Sequence, residues 1–595
     1  MDFTKIPYPN QNFQNPDQHL TLNEFLNTAA TVPEISVDTE TNGEDLRDGR
    51  GYCQGVSAAY EFPGIGRVSH YLPFRHKFGP NLDKRFLGLF EEVLSFRETK
   101  ELPVIYHNSK FDFESLRTLG IKLDPTALHY CTMIIAHLID EERPYSKSLD
   151  AVTKWYLNDP GKKVSPEFKR WITKHGWETI PSPEMYEYAA YDADLTYRLW
   201  IEKLKSKYLE QNLEPIWEQK RKTIAVLMSM ERRGSKIDVP LCEKMTLIGE
   251  QIMLDVQELL GGLNPNSPKD LKKLLIDQMG LPILKKTPSG NPSFDKKVMV
   301  EYEEVLERLE DLTAQQVLTY RGWSKAVGSS YRPYVEKLSP DGRLRANYKL
   351  HGTKTGRLSC GYFQQIPKTS SKPWNGEMKK AFIEDEGWEL WEGDYSQLEL
   401  RLATAVSGEP HMMEVFADDS RDIFSEMAEI LGLVRQDTKT FVYATGYGAG
   451  INRLKTALGI SAERAEQIRQ RHRSAYPLLF SISNRASRTV KEKGRIKLWS
   501  GRYRHFQFPD SEAHKAFNAW TQGGAADIVE RTMWRLYRDI ESEYCHMLIQ
   551  VHDSVLFAVR TDMKDNVLPE IKRIMETVEP DFGVKFRVDV HKWGE

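Results

Sequence analysis

No run of about 18 consecutive apolar residues occurs in the 595-residue chain, so no ordinary membrane-spanning helix is expected. An excess of charge of one sign is also missing. The 82 Lys and Arg residues face 85 Asp and Glu, a formal net of -3. The chain is therefore not basic overall, and any hold on nucleic acid must come from local patches. Cysteine is scarce: the five residues, at 53, 131, 242, 360 and 545, never form a CxxC pair. That scatter argues against a disulfide framework or a zinc site, and for a reducing, cytoplasmic compartment. The N-terminal MDFTKIPYPNQNFQNPDQ lacks the apolar core of a secretory signal. Internal repeats and low-complexity tracts are absent too. What remains is an ordinary globular composition, 40% hydrophobic and 28% charged, long enough for about three to five domains.

Strand-like segments occupy roughly 32–73 (PEISV, GYCQGVSAAY, RVSHYLPF). Helical periodicity follows over 84–97, then a strand at LPVIYH and helices to about 205. Strands first and helices after predict one α/β domain ending near 205. Residues 206–312 read as helical and charged. Two later segments are basic: 316–360 has nine Lys/Arg against two acids, and 485–505 has eight against one. A strand is expected near 388–394, a long helical stretch over 396–492, and a hairpin in HMLIQVHDSVLFAV.

Two groups of acids carry the chemistry. In EISVDTE, Asp38 and Glu40 lie two apart on a strand, so both carboxylates share one face. Such a pair is either solvated or held together by a cation, and Mg²⁺ prefers hard oxygen ligands. In YHNSKFDFESL, Asn108 and Asp112 are four apart, as are Tyr188 and Asp192 in YEYAAYDADLTYRLW. The second group pairs Asp394, at a strand–helix junction in WELWEGDYSQLELRLAT, with Asp553 in the turn of VHDSV. That turn reads equally well as a solvated hairpin end. Between them, Arg435, Lys439, Tyr443 and Tyr447 recur every four residues, closed by Gly448. One helix face thus presents two cations and then two aromatics, suited to a triphosphate at one end and stacked rings at the other; a solvated face with a buried aromatic stripe is the plainer alternative.

The ordered set Asp-x-Glu, Asn-xxx-Asp, Tyr-xxx-Asp resembles the DnaQ-like 3′–5′ exonuclease domain, a ribonuclease-H-like fold. TGRLS at 355–359, FQQIP at 363–367, DYSQLELR at 394–401, the Arg435–Gly448 helix, NAWTQGGAADI at 518–528 and VHDS resemble the polymerase module of family A DNA polymerases. The resemblance implies a multidomain α/β and α+β chain: an exonuclease domain (1–205), thumb (206–345), palm (346–407), fingers (408–500) and palm again (501–595). It implies template-directed DNA synthesis with proofreading, two Mg²⁺ ions per active site with Mn²⁺ able to substitute, and primer-template DNA and dNTPs as partners. Asp38, Glu40, Asp112 and Asp192 would hold metals in the exonuclease, with Tyr188 orienting the attacking water. Asp394, Asp553 and the carbonyl of Tyr395 would hold those of the polymerase. Arg435 and Lys439 would bind the phosphates, Lys439 also serving as general acid. Glu399 would exclude a 2′-hydroxyl, and Gln397 would belong to the nucleotide-binding set. Tyr443 would face the sugar 3′ side and favour dideoxynucleotide incorporation, and Tyr447 would stack at the templating position. Arg357, Arg502, Asn518, Gln522 and His552 would contact DNA.

Three positions depart from the family pattern. Cys131 stands where relatives often carry Asp, Phe424 where His is usual, and Ser554 where Glu is usual. Loss of the His is expected to weaken nucleotide binding modestly. No 5′-nuclease domain fits ahead of Asp38, and the compact arrangement is expected of a phage replicative enzyme. An exonuclease with a degenerate polymerase half, or a non-catalytic primer-template binder, are the alternatives; the presence of Asp394, Asp553 and Lys439 speaks against both.

Overall fold

The computed structural model describes residues 11–12, 20–159, 166–367, 372–446, 448–578 and 580–594. Tyr447 falls outside them. The N-terminal part is built on a six-stranded sheet. Its strands are β1 (Gln11–Asn12), β2 (Ile35–Thr41), β3 (Cys53–Phe62), β4 (Gly66–Pro73), β5 (Val104–Tyr106) and β6 (His129–Cys131), in the order β1-β4-β3-β2-β5-β6. The β2–β5 and β5–β6 pairs are parallel and the others antiparallel. β2 is largely buried along its length, as expected of a central strand with both faces covered. Helix α1 (Ser109–Thr118) follows β5 directly, and α2 (Ser182–Arg198) packs across β2, β3 and β4. The Ser36 hydroxyl on β2 donates to the Ala193 carbonyl of α2 at 2.7 Å.

Helix α3 (Glu214–Arg233) joins this part to the rest. Its Trp217 indole donates to the His129 carbonyl of β6 at 2.5 Å. Its Lys220 is salt-bridged to Glu530 at 2.6 Å, both side chains being nearly inaccessible. A small sheet of Ser235–Ile237, Arg343–Leu344 and Phe382–Ile383 then ties the start of the 206–345 segment to residues beyond its end. Residues 256–317 enclose a small core of their own around Leu275, Met299 and Val317.

The C-terminal part rests on four antiparallel strands: β7 (Trp388–Tyr395), β8 (Cys545–Val551), β9 (Ser554–Arg560) and β10 (Val588–Lys592), in the order β8-β9-β7-β10. Helices α4 (Leu398–Ser407), α5 (Arg435–Gly446) and α6 (Ala516–Asp539) belong to this part, with α4 packed against α6. The expected long helical stretch is broken, among the described residues, into seven helices between Leu398 and Lys493. Several of them share a separate core around Met427, Phe441 and Ile468. Residues 523–524 explain the paired glycines of TQGGAAD. A Cβ on Gly523 would lie 2.6 Å from Leu498 and 3.0 Å from the Thr355 carbonyl, and one on Gly524 would lie 2.7 Å from the Trp499 indole nitrogen. Only glycine lets α6 approach both segments this closely.

Candidate active sites

The first site lies at the end of β2. Carboxylate oxygens of Asp38, Glu40 and Asp192 all fall within 4.8 Å of one another. Strand alternation puts Asp38 and Glu40 on one face, and α2 brings Asp192 over them. Asp112 of α1 stands beside this trio. Its Oδ1 accepts from the Thr39 hydroxyl at 2.9 Å, whereas its buried Oδ2 has no hydrogen-bond partner among the described residues. The Tyr188 hydroxyl donates to Asp192. Asn108 does not share the helical face of Asp112. It precedes α1 in a left-handed conformation, φ 81°. Cys131 is buried at the end of β6, its sulfur accepting from the Asn108 N–H at 3.3 Å.

Burial, and then the charges of Glu40, Asp112 and Asp192, holds the Asp38 carboxyl well above the ordinary range. Glu40 is raised in the same way by burial, Asp192 and Asp112. Burial pushes Asp112 up to about 8 against the opposing Thr39 bond. It pushes Asp192 up to about 7 against the bond from Tyr188. Four such acids in one desolvated place resist shared ionisation. With Oδ2 of Asp112 left unbonded, the donor set fits hard divalent cations.

The second site lies where β7 ends. Strand register sets Asp394 opposite Ser554, so Asp553, in the β8–β9 turn, comes beside it. The Tyr395 N–H donates to the Asp553 carbonyl at 3.2 Å. The Tyr395 ring points into the core, its hydroxyl bonded to the Met575 carbonyl at 2.7 Å. Ser554 is buried and donates to the Val551 carbonyl at 3.1 Å, so its side chain closes the hairpin. The adjoining His552 is exposed in a left-handed conformation.

Glu399, in the first turn of α4, is ion-paired with Arg357. Burial raises its pKa, opposed by Arg357, with the nearby Asp553 adding to the rise. Gln522 also hydrogen-bonds it. Gln397 takes a left-handed conformation just before α4. Glu399, Tyr443 and Asn518 line one pocket between α4, α5 and α6. The chain fold thus gathers Arg357, Glu399, Gln522, Asn518 and Tyr443 near the Asp394–Asp553 end.

On α5, Arg435 and Lys439 are exposed. Arg435 is held by both oxygens of Asp422, at 2.8 and 3.0 Å. Its guanidinium sits 5.9 Å from the centroid of Phe424. Phe424 is buried in the core shared by these helices, with its ring 5.9 Å from that of Tyr443.

Arg502 is not an exposed cation. It is 4% accessible, pairs with Asp527 at 3.2 Å, and donates to the carbonyls of Thr355 and Gly523. Its visible work is to fasten the TGRLS loop to α6. Neither Asp527 nor Asp422 stood out in the sequence, because each acquires its partner through the tertiary fold. Thr39 was hidden for a different reason: strand alternation assigns it to the face opposite Asp38 and Glu40.

A family model described as DNA polymerase family A matches residues 241–595, and one described as 3′–5′ exonuclease matches 13–208. The thermostable DNA polymerase I of Thermus aquaticus is 30% identical over 466 residues, covering 73% of this chain and 53% of its own. The DNA polymerase I of Rhizobium leguminosarum is 25% identical over 653 residues, covering 100% of this chain and 62% of its own. The chain spans about half the length of the first of these relatives. A solved structure, the POL domain of Pol1 from M. smegmatis in complex with DNA primer-template and dNTP, shares the fold at a TM-score of 0.79 and 20% identity. The match covers 96% of this chain and 98% of that one. Among the described residues, no helix is long and apolar enough to cross a membrane.

Proposed function

The chain belongs to DNA polymerase family A and carries a 3′–5′ exonuclease domain, and we propose that it extends primers on a DNA template with dNTPs and removes mispaired 3′ ends. One observation carries this reading: two separate carboxylate groups stand at the ends of two different sheets in one chain. Mg²⁺, or Mn²⁺ in its place, would be held by Asp38, Glu40, Asp112 and Asp192 in one site and by Asp394, Asp553 and the Tyr395 carbonyl in the other. When bound, these cations stabilise charge on the attacking and leaving oxygens.

The chain's own residues do the positioning. Tyr188, tied to Asp192, directs its hydroxyl toward the water that attacks the 3′-terminal phosphodiester. Arg435 and Lys439 bind the triphosphate by charge-assisted hydrogen bonds, Arg435 leaving Asp422 to do so, and Lys439 protonates the departing pyrophosphate. Glu399, fixed by Arg357 and Gln522, closes the space under the sugar 2′ carbon. Tyr443 faces the sugar 3′ side; the stacking role at the templating position expected of Tyr447 falls outside the described residues. Asn518, Gln522 and His552 face the primer-template, and Arg502 acts by holding the Thr355–Ser359 loop. Phe424, buried, lends α5 an apolar support and no phosphate contact.

The test is a paired assay on one labelled primer-template with Mg²⁺, with and without dNTPs. Asp394→Ala should abolish extension alone and Asp38→Ala should abolish 3′ shortening alone. Each loss should be at least about a hundredfold, the scale of removing one charge-stabilising group at a reacting centre. Shortening without extension in the wild type would leave a nuclease only.

A further inference from the structure

The expected domain plan assigns no role to the segment between β6 and α2 that meets the C-terminal part. There, Glu141 and Glu142 of the N-terminal domain reach into the basic segment near residue 504. Arg504 Nη1 bonds Glu141 at 2.8 Å and Glu142 at 2.9 Å. Glu141 also accepts from the His505 N–H at 2.5 Å and pairs with His505 Nδ1 at 2.9 Å. Glu142 pairs with Lys354 Nζ at 2.5 Å. Both acids come from one domain and all three partners, Lys354, Arg504 and His505, from the other. The glutamates are 3% and 4% accessible at their side chains, whereas Lys354 is 47% accessible.

Arg504 also lines a pocket with Thr355, Gly448, Gly450, Arg453 and Lys515. It is 8% accessible, its guanidinium lies 4.6 Å from the Phe506 ring centroid, and its Nε has no hydrogen-bond partner among the described residues. Among the described residues, the acid from the same domain that pairs with a cation of this pocket is Glu512, on Lys515 at 3.0 Å. A buried guanidinium with an unused N–H, beside exposed cations, suits an oxyanion.

We propose that this pocket binds a backbone phosphate of the nucleic acid, and that Glu141 and Glu142 are its resident counter-ions, displaced from Lys354 and Arg504 as the strand enters. The inference rests on the polymerase–exonuclease reading above. It makes nucleic-acid binding at the polymerase module and the grip on the exonuclease domain compete for the same cations. The coupling is reciprocal: whatever loosens Glu142 tightens nucleic-acid binding. It also lowers the share of primer ends that reach the exonuclease site.

The probe is a fluorescent primer-template duplex, with binding by the full chain followed by anisotropy from about 50 to 200 mM salt without divalent metal. Glu142→Gln should bind about three- to tenfold tighter at the low-salt end, with a slope of log K against log salt steeper by about one ion. Lys354→Met, at an exposed position, should make the slope shallower by about one ion. In the Lys354→Met background, Glu142→Gln should tighten binding less than it does in the wild type, since only the Arg504 pair remains to be broken. On a matched primer, Glu142→Gln should also lower shortening relative to extension. Unchanged or weaker binding by a folded Glu142→Gln protein, or an unchanged slope for Lys354→Met, overturns the proposal. Loss of both activities in the wild type would instead overturn the parent reading.

Discussion

Asp112 is the deepest of the four carboxylates at the first site, 1% accessible, with one oxygen bonded by Thr39 and the other without a partner among the described residues. Its pKa of about 8 lies above the ordinary 3.8. Below about pH 4, folded and unfolded chains both hold the proton and neither is favoured. Between about 4 and 8 the unfolded chain gives it up first. Stability without metal therefore falls as pH rises through that window, at up to about 1.4 kcal/mol per pH unit for one such group. Asp112→Asn removes this titration. The metal-free Tm of the variant should gain several degrees on that of the wild type between about pH 5 and 8, while 3′ shortening is lost. Mg²⁺ should flatten the wild-type slope and leave the variant nearly unmoved. Calorimetry in chelator at several pH values is the check; parallel pH slopes would refute the assignment. A second prediction concerns Tyr443, whose ring meets buried Phe424 at 5.9 Å. Tyr443→Phe keeps that ring contact and removes only the hydroxyl. Stability should stay within about 0.5 kcal/mol, while discrimination against dideoxynucleotides should rise at least about tenfold, or about 1.4 kcal/mol. Single-nucleotide incorporation kinetics measure this directly.

At the scale of elements, Arg502 joins the TGRLS loop, the 498–502 turn and α6 by buried bonds to Thr355, Gly523 and Asp527. Arg502→Gln would leave Asp527 a buried carboxylate without its cation, a change that costs about 3–5 kcal/mol. Extension should fall with stability, because Arg357, in the same loop, fixes Glu399. The salt dependence of DNA binding should not change, since a buried guanidinium neutralises no phosphate. A slope shallower by about one ion in a folded Arg502→Gln protein would restore direct DNA contact. The contrast shows which elements were legible in advance. The Asp38–Glu40 pair could be read because a strand repeats every two residues. The Arg435–Tyr443 face could be read because a helix returns about every four, and Asp553 because a short polar turn separated two apolar strands. Arg502 looked like one more cation in a basic run, for its burial is decided by α6 and its paired glycines. Asn108 kept the right spacing from Asp112 but lies before the helix begins, so the shared face does not exist. Asp422, Glu141 and Glu142 carry no local pattern at all.

At the scale of the molecule, the N-terminal and C-terminal parts are joined by buried polar bonds as well as by a continuous apolar core. Lys110 of α1 donates to Glu231 of α3 at 2.5 Å, to Asn347 at 2.7 Å and to the Tyr348 carbonyl at 2.6 Å. Glu231 accepts in turn from the Tyr348 N–H at 2.6 Å and lies 3.6 Å from Arg47. One ammonium therefore bonds the N-terminal domain at once to the connecting helix and to the segment leading into the TGRLS loop. Lys110→Met keeps the length of the side chain and deletes the bonds to Glu231, Asn347 and Tyr348 made by the ammonium. It leaves Glu231, 4% accessible, with Arg47 as its remaining cation. A loss of about 3–5 kcal/mol is expected. Because it falls on the seam and not within either sheet, it should appear as loss of cooperativity. Wild-type unfolding should be dominated by one calorimetric transition. The variant should show two, with the exonuclease part melting first and the ratio of van't Hoff to calorimetric enthalpy falling below one. Primer extension should outlast 3′ shortening as temperature rises between the two midpoints. A single transition, shifted but undivided, would mean that the apolar core alone couples the two parts.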